Sequence, residues 1–153
     1  DDFSSQEIKS YNLIFSEIFI ALNIQKLNGN FIIKIFDIFY DKTIQLIYLL
    51  TLSYDNVYIY KPQFSRSSNS EKYIVALNFK GAPNKSLNDM QYYFSDPLKY
   101  TIDIPATFIH IINEYNNRYV TNQINNINDI INNKNNIVSI DEAIKWCDKY
   151  KIN

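Results

Sequence analysis

The sequence predicts an α/β domain followed by a mostly helical tail. Three observations carry that prediction. Residues 1–81 read in the order helix, strand, helix, strand, strand. The first strand candidate is apolar on both of its alternating faces, the pattern of an interior parallel strand covered on two sides. Beyond Gly81 strand-type alternation gives way to helical spacing. This order is the closing part of a three-layer α/β domain.

Ser4 with Glu7 forms a capping-box signature. Behind it Ile8, Tyr11, Ile14, Phe15, Ile18, Phe19 and Leu22 recur at helical spacing, which predicts one amphipathic helix to about Gln25. Asn28-Gly29 is a stop and turn signal. The run Phe31-Ile32-Ile33-Lys34-Ile35-Phe36 is the interior strand. Asp41 can cap a second helix over Thr43 to Leu52. Val57 to Tyr60 reads as a second strand, ended by Lys61-Pro62, and a polar loop spans Gln63 to Ser70. In a third strand, Glu71 to Phe79, Tyr73, Val75 and Leu77 alternate with Lys72, Ile74 and Ala76. The loop between these last two strands is too short for a crossover helix, so they should pair antiparallel.

The tail, residues 82–153, opens with a mixed polar and aromatic connection to Asp103. Phe108, Ile111, Ile112 and Tyr115 predict a helix, and Ile124, Ile127, Ile130 and Ile131 predict another inside an Asn-rich stretch. Ser139 with Glu142 starts a last helix bearing Ile140, Ala143, Ile144, Cys147 and Tyr150.

The chain has 153 residues, 46% of them hydrophobic, enough for one modest core. Its formal net charge of -1 supplies no global basic field, so any RNA contact must come from a local patch. The single cysteine, Cys147, excludes an intrachain disulfide framework and suits a reducing compartment. No apolar stretch is long enough to span a bilayer. With two glycines, Gly29 and Gly81, the chain holds no Gly-rich phosphate loop.

Two residues stand out chemically. Lys34 is a cation in an apolar strand, where an unpaired ammonium is costly to bury. It either snorkels at the strand end, or merely pairs with Asp37, or it serves a site at the C-terminal rim of the sheet, where open α/β folds bind ligands. Glu71 opens an apolar strand, which alone marks only a solvated strand end. The preceding Ser65-Arg66-Ser67-Ser68-Asn69-Ser70 adds a cation and several polar groups suited to phosphate and sugar. His110 and Cys147 read as structural, and the aromatic residues mostly as core and strand formers.

Three segments in order carry a resemblance: Asn30-Phe31-Ile32-Ile33-Lys34-Ile35-Phe36-Asp37, then Gln45-Leu46-Ile47-Tyr48-Leu49-Leu50, then Lys61 to Val75. Together they resemble the FtsJ-like cap-specific 2′-O-methyltransferases, most strongly those of large cytoplasmic DNA viruses and the eukaryotic cap-1 enzymes. The resemblance covers Ser4 to about Gly81. The closing helix, with Ile144, Lys145, Trp146, Cys147, Lys149 and Tyr150, also looks similar to the viral members. Relatives often carry Pro-Ala where this chain has Ser67-Ser68.

The resemblance implies a Rossmann-like sheet, S-adenosylmethionine as methyl donor, and a Lys-Asp-Lys-Glu catalytic tetrad. Lys34 matches its second lysine and Glu71 its glutamate. The first lysine, the aspartate and the donor site are expected upstream of Asp1, and residues 1–81 are then the C-terminal half of the methyltransferase domain. Ser65, Arg66, Asn69 and Ser70 are the implied RNA contacts. The implied substrate is capped mRNA and the location cytoplasmic, viral or host. Capping-enzyme subunits are candidate partners, and neither membrane nor metal is called for. A ribosomal or transfer RNA 2′-O-methyltransferase would share the tetrad, and a noncatalytic RNA-binding subunit could share the fold.

The chemistry suits these residue types. A ribose 2′-hydroxyl is a poor nucleophile and must lose its proton. A lysine accepts that proton only if its pKa falls well below about 10.4. Desolvation and a neighbouring cation both lower it. In that scheme Lys34 is the base, and Glu71 positions the lysine pair and the ribose.

Overall fold

The computed structural model describes residues 5–62, 65, 69–132 and 140–150. Helix α1 (Gln6–Ile24) leads into strand β1 (Phe31–Ile35), then helix α2 (Asp41–Ser53), strand β2 (Tyr54–Tyr60) and strand β3 (Lys72–Phe79). Helices α3 (Asn84–Tyr92), α4 (Ala106–Ile131) and α5 (Ile140–Tyr150) follow, with a 3-10 turn at Pro97–Lys99 between α3 and α4. Among the described residues no helix is long and apolar enough to cross a membrane.

The three strands form one sheet in the order β1-β3-β2. Both pairings are antiparallel: Lys34 faces Tyr73 across β1 and β3, and Tyr60 faces Tyr73 across β2 and β3. The expected antiparallel pairing of the last two strands is therefore present. The expected interior parallel strand is corrected. Among the described residues β1 pairs only with β3, its other edge is free, and Ile32 is 63% exposed. The two-faced apolar pattern has a different local outcome. Ile33 and Ile35 enter the core, while Ile32 lines a groove between α1 and β1.

The core is continuous. Tyr11, Phe15 and Ile18 from α1 pack with Leu46, Leu49 and Leu50 from α2, and with Ile74 and Ala76 from β3. Met90, Tyr100 and Ile112 join the same cluster, so α3, the Pro97–Lys99 turn and the start of α4 pack on the sheet domain.

Local signals were met unevenly. Glu7 reaches well beyond its own helix turn. Its Oε2 accepts the Phe39 N–H at 3.1 Å and its Oε1 the Tyr40 N–H at 2.9 Å, tying the first turn of α1 to the segment entering α2. Ser4 lies outside the described residues. Asp41 is not a cap but the first residue of α2, where its charge suits the positive helix end. Strand β2 begins three residues early because Tyr54 follows α2 directly and buries its ring. Helix α3 occupies a stretch expected to be irregular, since it is mostly polar and buries only Ser86 and Met90. The two expected helices beyond Ala106 form one helix of 26 residues. The α5 capping serine, Ser139, lies outside the described residues.

Candidate active site

Lys34 is the penultimate residue of β1, and Glu71 stands immediately before β3. Because side chains alternate along a strand, Glu71 and Tyr73 share a face, and the register sets Lys34 beside them. Lys34 Nζ lies 2.8 Å from Glu71 Oε2. The Tyr73 hydroxyl donates to Glu71 Oε1 at 2.9 Å, so each carboxylate oxygen holds one donor. The pair is accessible: the Lys34 side chain is 48% exposed and that of Glu71 26%.

The electrostatics follow from that geometry. The hydrogen bond to Glu71 holds the Lys34 ammonium above its usual pKa, with burial pulling the other way. The hydrogen bonds from Lys34 and Tyr73 hold the Glu71 carboxyl below its usual value. As it stands, then, Lys34 is a stable cation. Making it a base requires a second positive charge and loss of water at this rim.

Two further lysines surround the segment before β3. Lys61 Nζ donates to the Asn69 carbonyl at 2.7 Å, to Asn69 Oδ1 at 2.6 Å and to the Glu71 carbonyl at 3.0 Å. Burial, then the charge of Lys72, lowers its pKa. Ser65 Oγ lies 3.4 Å from Asn69 Oδ1. Lys72 alternates with Glu71 and points to the opposite face, where its side chain is 1% exposed. It donates to Asp37 Oδ1 at 3.0 Å, the Phe36 carbonyl at 3.2 Å and the Ser70 carbonyl at 3.1 Å. Burial lowers its pKa, and Asp37 partly offsets that.

The sequence-predicted residues thus divide. Lys34 and Glu71 are brought together, Ser65 and Asn69 touch, and the Ser70 backbone is held by Lys72. Arg66 lies outside the described residues. Asp37 pairs with Lys72 and not with Lys34. His110 is exposed beside Glu114 on the outer face of α4, and Cys147 is half-buried. Lys61, Lys72 and Tyr73 were missed. The signal for Lys72 was present, since the β3 alternation places it with Ile74 and Ala76 on the inward face.

Both glycines lie at the other end of the sheet from this rim. Gly29 sits in the turn before β1, and Gly81 follows β3 with a φ of 100°. The described residues therefore offer no glycine-rich cradle beside Lys34.

Residues 3–79 match the family model of the FtsJ-like methyltransferases. The chain belongs to that family. An α/β methyltransferase fold with a helical tail accommodates its small antiparallel sheet and large helical content. A similar protein is cap-specific mRNA (nucleoside-2′-O-)-methyltransferase 1 of Trypanosoma cruzi, 31% identical over 129 residues, covering 77% of this chain and 36% of that protein. The corresponding 1A protein of Caenorhabditis briggsae is 44% identical over 70 residues, covering 46% of this chain and 8% of that protein. The human methyltransferase 1 is 40% identical over 75 residues, covering 49% and 9%. The FtsJ-like chain spans little more than a third of the trypanosome relative and less than a tenth of the other two. Its Lys34–Glu71 rim falls within the matched residues, whereas α3, α4 and α5 lie beyond residue 79.

Proposed function

We propose that this chain supplies the second lysine and the glutamate of a Lys-Asp-Lys-Glu tetrad. The protein containing it methylates the ribose 2′-hydroxyl of the first transcribed nucleotide of capped mRNA. The observation that carries the proposal is the 2.8 Å Lys34–Glu71 pair at the exposed rim of the sheet. The names of the relatives favour a capped mRNA substrate over ribosomal or transfer RNA.

In this reading Lys34 takes the proton of the 2′-hydroxyl, and Glu71 orients Lys34 and the ribose. The raised pKa of Lys34 is the resting condition. A second lysine brought beside it, with RNA covering the rim, would lower that pKa toward a working range. Ser65, Arg66, Asn69 and Ser70 contact RNA phosphate and sugar. S-adenosylmethionine supplies the methyl group. The described residues do not fit a donor cradle, so a separate, preceding part of the protein holds it. The free edge of β1 and the adjoining groove of about 660 Å³ suit the docking of that part. Unpaired strand edges and apolar grooves are usually covered.

The test is single-turnover transfer of labelled methyl to a short capped RNA, by the protein that joins this chain to its donor-binding part. Transfer to the first-nucleotide ribose, lost in Lys34→Ala, is the expected result. Equal transfer to uncapped RNA would favour the ribosomal or transfer RNA reading. No transfer by the folded parent would remove the enzymatic reading.

A further inference from the structure

Helix α4 lies beyond the family match, yet it reaches the back of the Lys34–Glu71 rim. The Tyr119 hydroxyl donates to the Asn69 carbonyl at 2.9 Å. The Lys72 ammonium sits 3.8 Å from the centre of the Tyr119 ring, a close cation–π contact in a buried setting. One turn earlier on the same helix, buried Asn116 donates its amide to the Ile38 carbonyl at 2.8 Å.

These contacts join two chain segments. The exit of β1 is held at the Phe36 carbonyl, at Asp37 and at the Ile38 carbonyl, by Lys72 and Asn116. The approach to β3 is held at the Asn69, Ser70 and Glu71 carbonyls, by Tyr119, Lys61 and Lys72. Lys34 lies just before the first segment, inside β1, and Glu71 ends the second. Because Glu71 and Lys72 are consecutive and point to opposite faces, fixing Lys72 inward fixes Glu71 outward.

We propose that Lys72 and Tyr119 are positioning residues for the Lys34–Glu71 pair, with α4 acting as a clip that sets how Glu71 meets Lys34. The proposal rests on the reading of that pair as catalytic. Neither residue touches the rim. Each acts through the backbone of residues 69–71. Such action matters because displacing a reacting group by about 1 Å can cost about 10²-fold in rate.

The test has two arms. In the 153-residue chain, the Glu71 carboxyl is titrated by NMR in the parent, Tyr119→Phe and Lys72→Met, with thermal melts alongside. Around Glu71 the groups that set its titration are Lys34, Tyr73 and Lys61, and none of them is altered. The expected result is that the depressed Glu71 midpoint moves up toward the ordinary carboxylate value in both variants, and Tyr119→Phe, which removes no charge, is the one that decides between displacement and the mere loss of a nearby cation. Tyr119→Phe keeps the ring under Lys72 and removes one hydroxyl, so it remains informative if Lys72→Met fails to fold. A role confined to stability would lower the melting temperature and leave the midpoint in place, and that result overturns the proposal.

In the protein carrying the donor-binding part, Tyr119→Phe should lower the single-turnover rate roughly 10-fold to 10²-fold, with donor affinity unchanged. A parent-like rate in Tyr119→Phe also overturns the proposal. If the parent itself transfers no methyl while the Glu71 midpoint still moves, the function assigned to the pair fails and the clip stands.

Discussion

Lys34 and Lys72 lie in register-adjacent positions of neighbouring strands, and their environments drive them in opposite directions. Lys34 faces outward and is held protonated by a carboxylate. Lys72 faces inward, where burial lowers its pKa despite Asp37. Only the outward lysine is open to a ligand, so the proposed catalytic role belongs there. In the protein with its donor-binding part, Lys34→Ala should reduce methyl transfer by about 10² to 10⁴. Lys34→Arg should fail as well, since a guanidinium stays protonated. Glu71→Gln should cost less, because an amide still orients. Single-turnover rates on capped RNA check all three. The pair also predicts a pH dependence. The folded pKa of Glu71 lies below its ordinary value. Its stabilisation is therefore complete above the ordinary carboxylate range and is lost as pH falls through the folded value. Since both partners are partly exposed, the effect should be small and weakened by salt. Melting temperatures of the parent and Glu71→Gln, followed downward from neutral pH, should converge in acid.

Among the elements, the strongly periodic ones were legible and the interactions that join them were not. Helix α1, strand β1 and the antiparallel β2–β3 pair follow from spacing and loop length, because apolar periodicity is itself the cause of burial. Glu7 shows the limit. Read locally, it completes a capping box. In the fold it binds two N–H groups more than thirty positions away, which no local signal encodes. Lys72 alternates in line with Ile74 and Ala76 in the sequence, but which of the two faces turns inward is decided only by their burial. Helix α3 was missed because too few apolar residues mark it. Lys34 and Glu71 themselves were located through resemblance, and their contact came only with the register. The Glu7 tether carries its own prediction. Glu7 is buried, and Glu7→Ala leaves the Phe39 and Tyr40 N–H groups without their partner. Urea unfolding of the 153-residue chain should show a loss of roughly 1–3 kcal/mol, and Glu7→Gln should lose less because an amide oxygen still accepts one bond.

At the scale of the whole molecule, the distribution of exposed apolar groups is uneven. Leu13, Ile20 and Ile24 of α1 and Ile32 of β1 line the groove beside the edge of β1 that is free among the described residues. The rim has a base candidate and its carboxylate but no donor cradle, and the groove has apolar walls but no cover among the described residues. A preceding donor-binding part docked along β1 would meet both needs at once: it would bury Ile32 and set a second cation near Lys34. The 153-residue chain alone should then bind S-adenosylmethionine weakly or not at all, by calorimetry, and should transfer no methyl group. Ile32→Lys separates this arrangement from one in which the groove stays open. In the isolated chain the side chain is exposed, so the change should alter stability by no more than about 0.5 kcal/mol. In the joined protein it would bury an unpaired ammonium against an apolar wall, lowering the melting temperature and methyl transfer together. An Ile32→Lys protein that keeps full activity and stability when joined would mean that the donor-binding part docks elsewhere. Tight donor binding by the 153-residue chain would mean that the donor site lies within it.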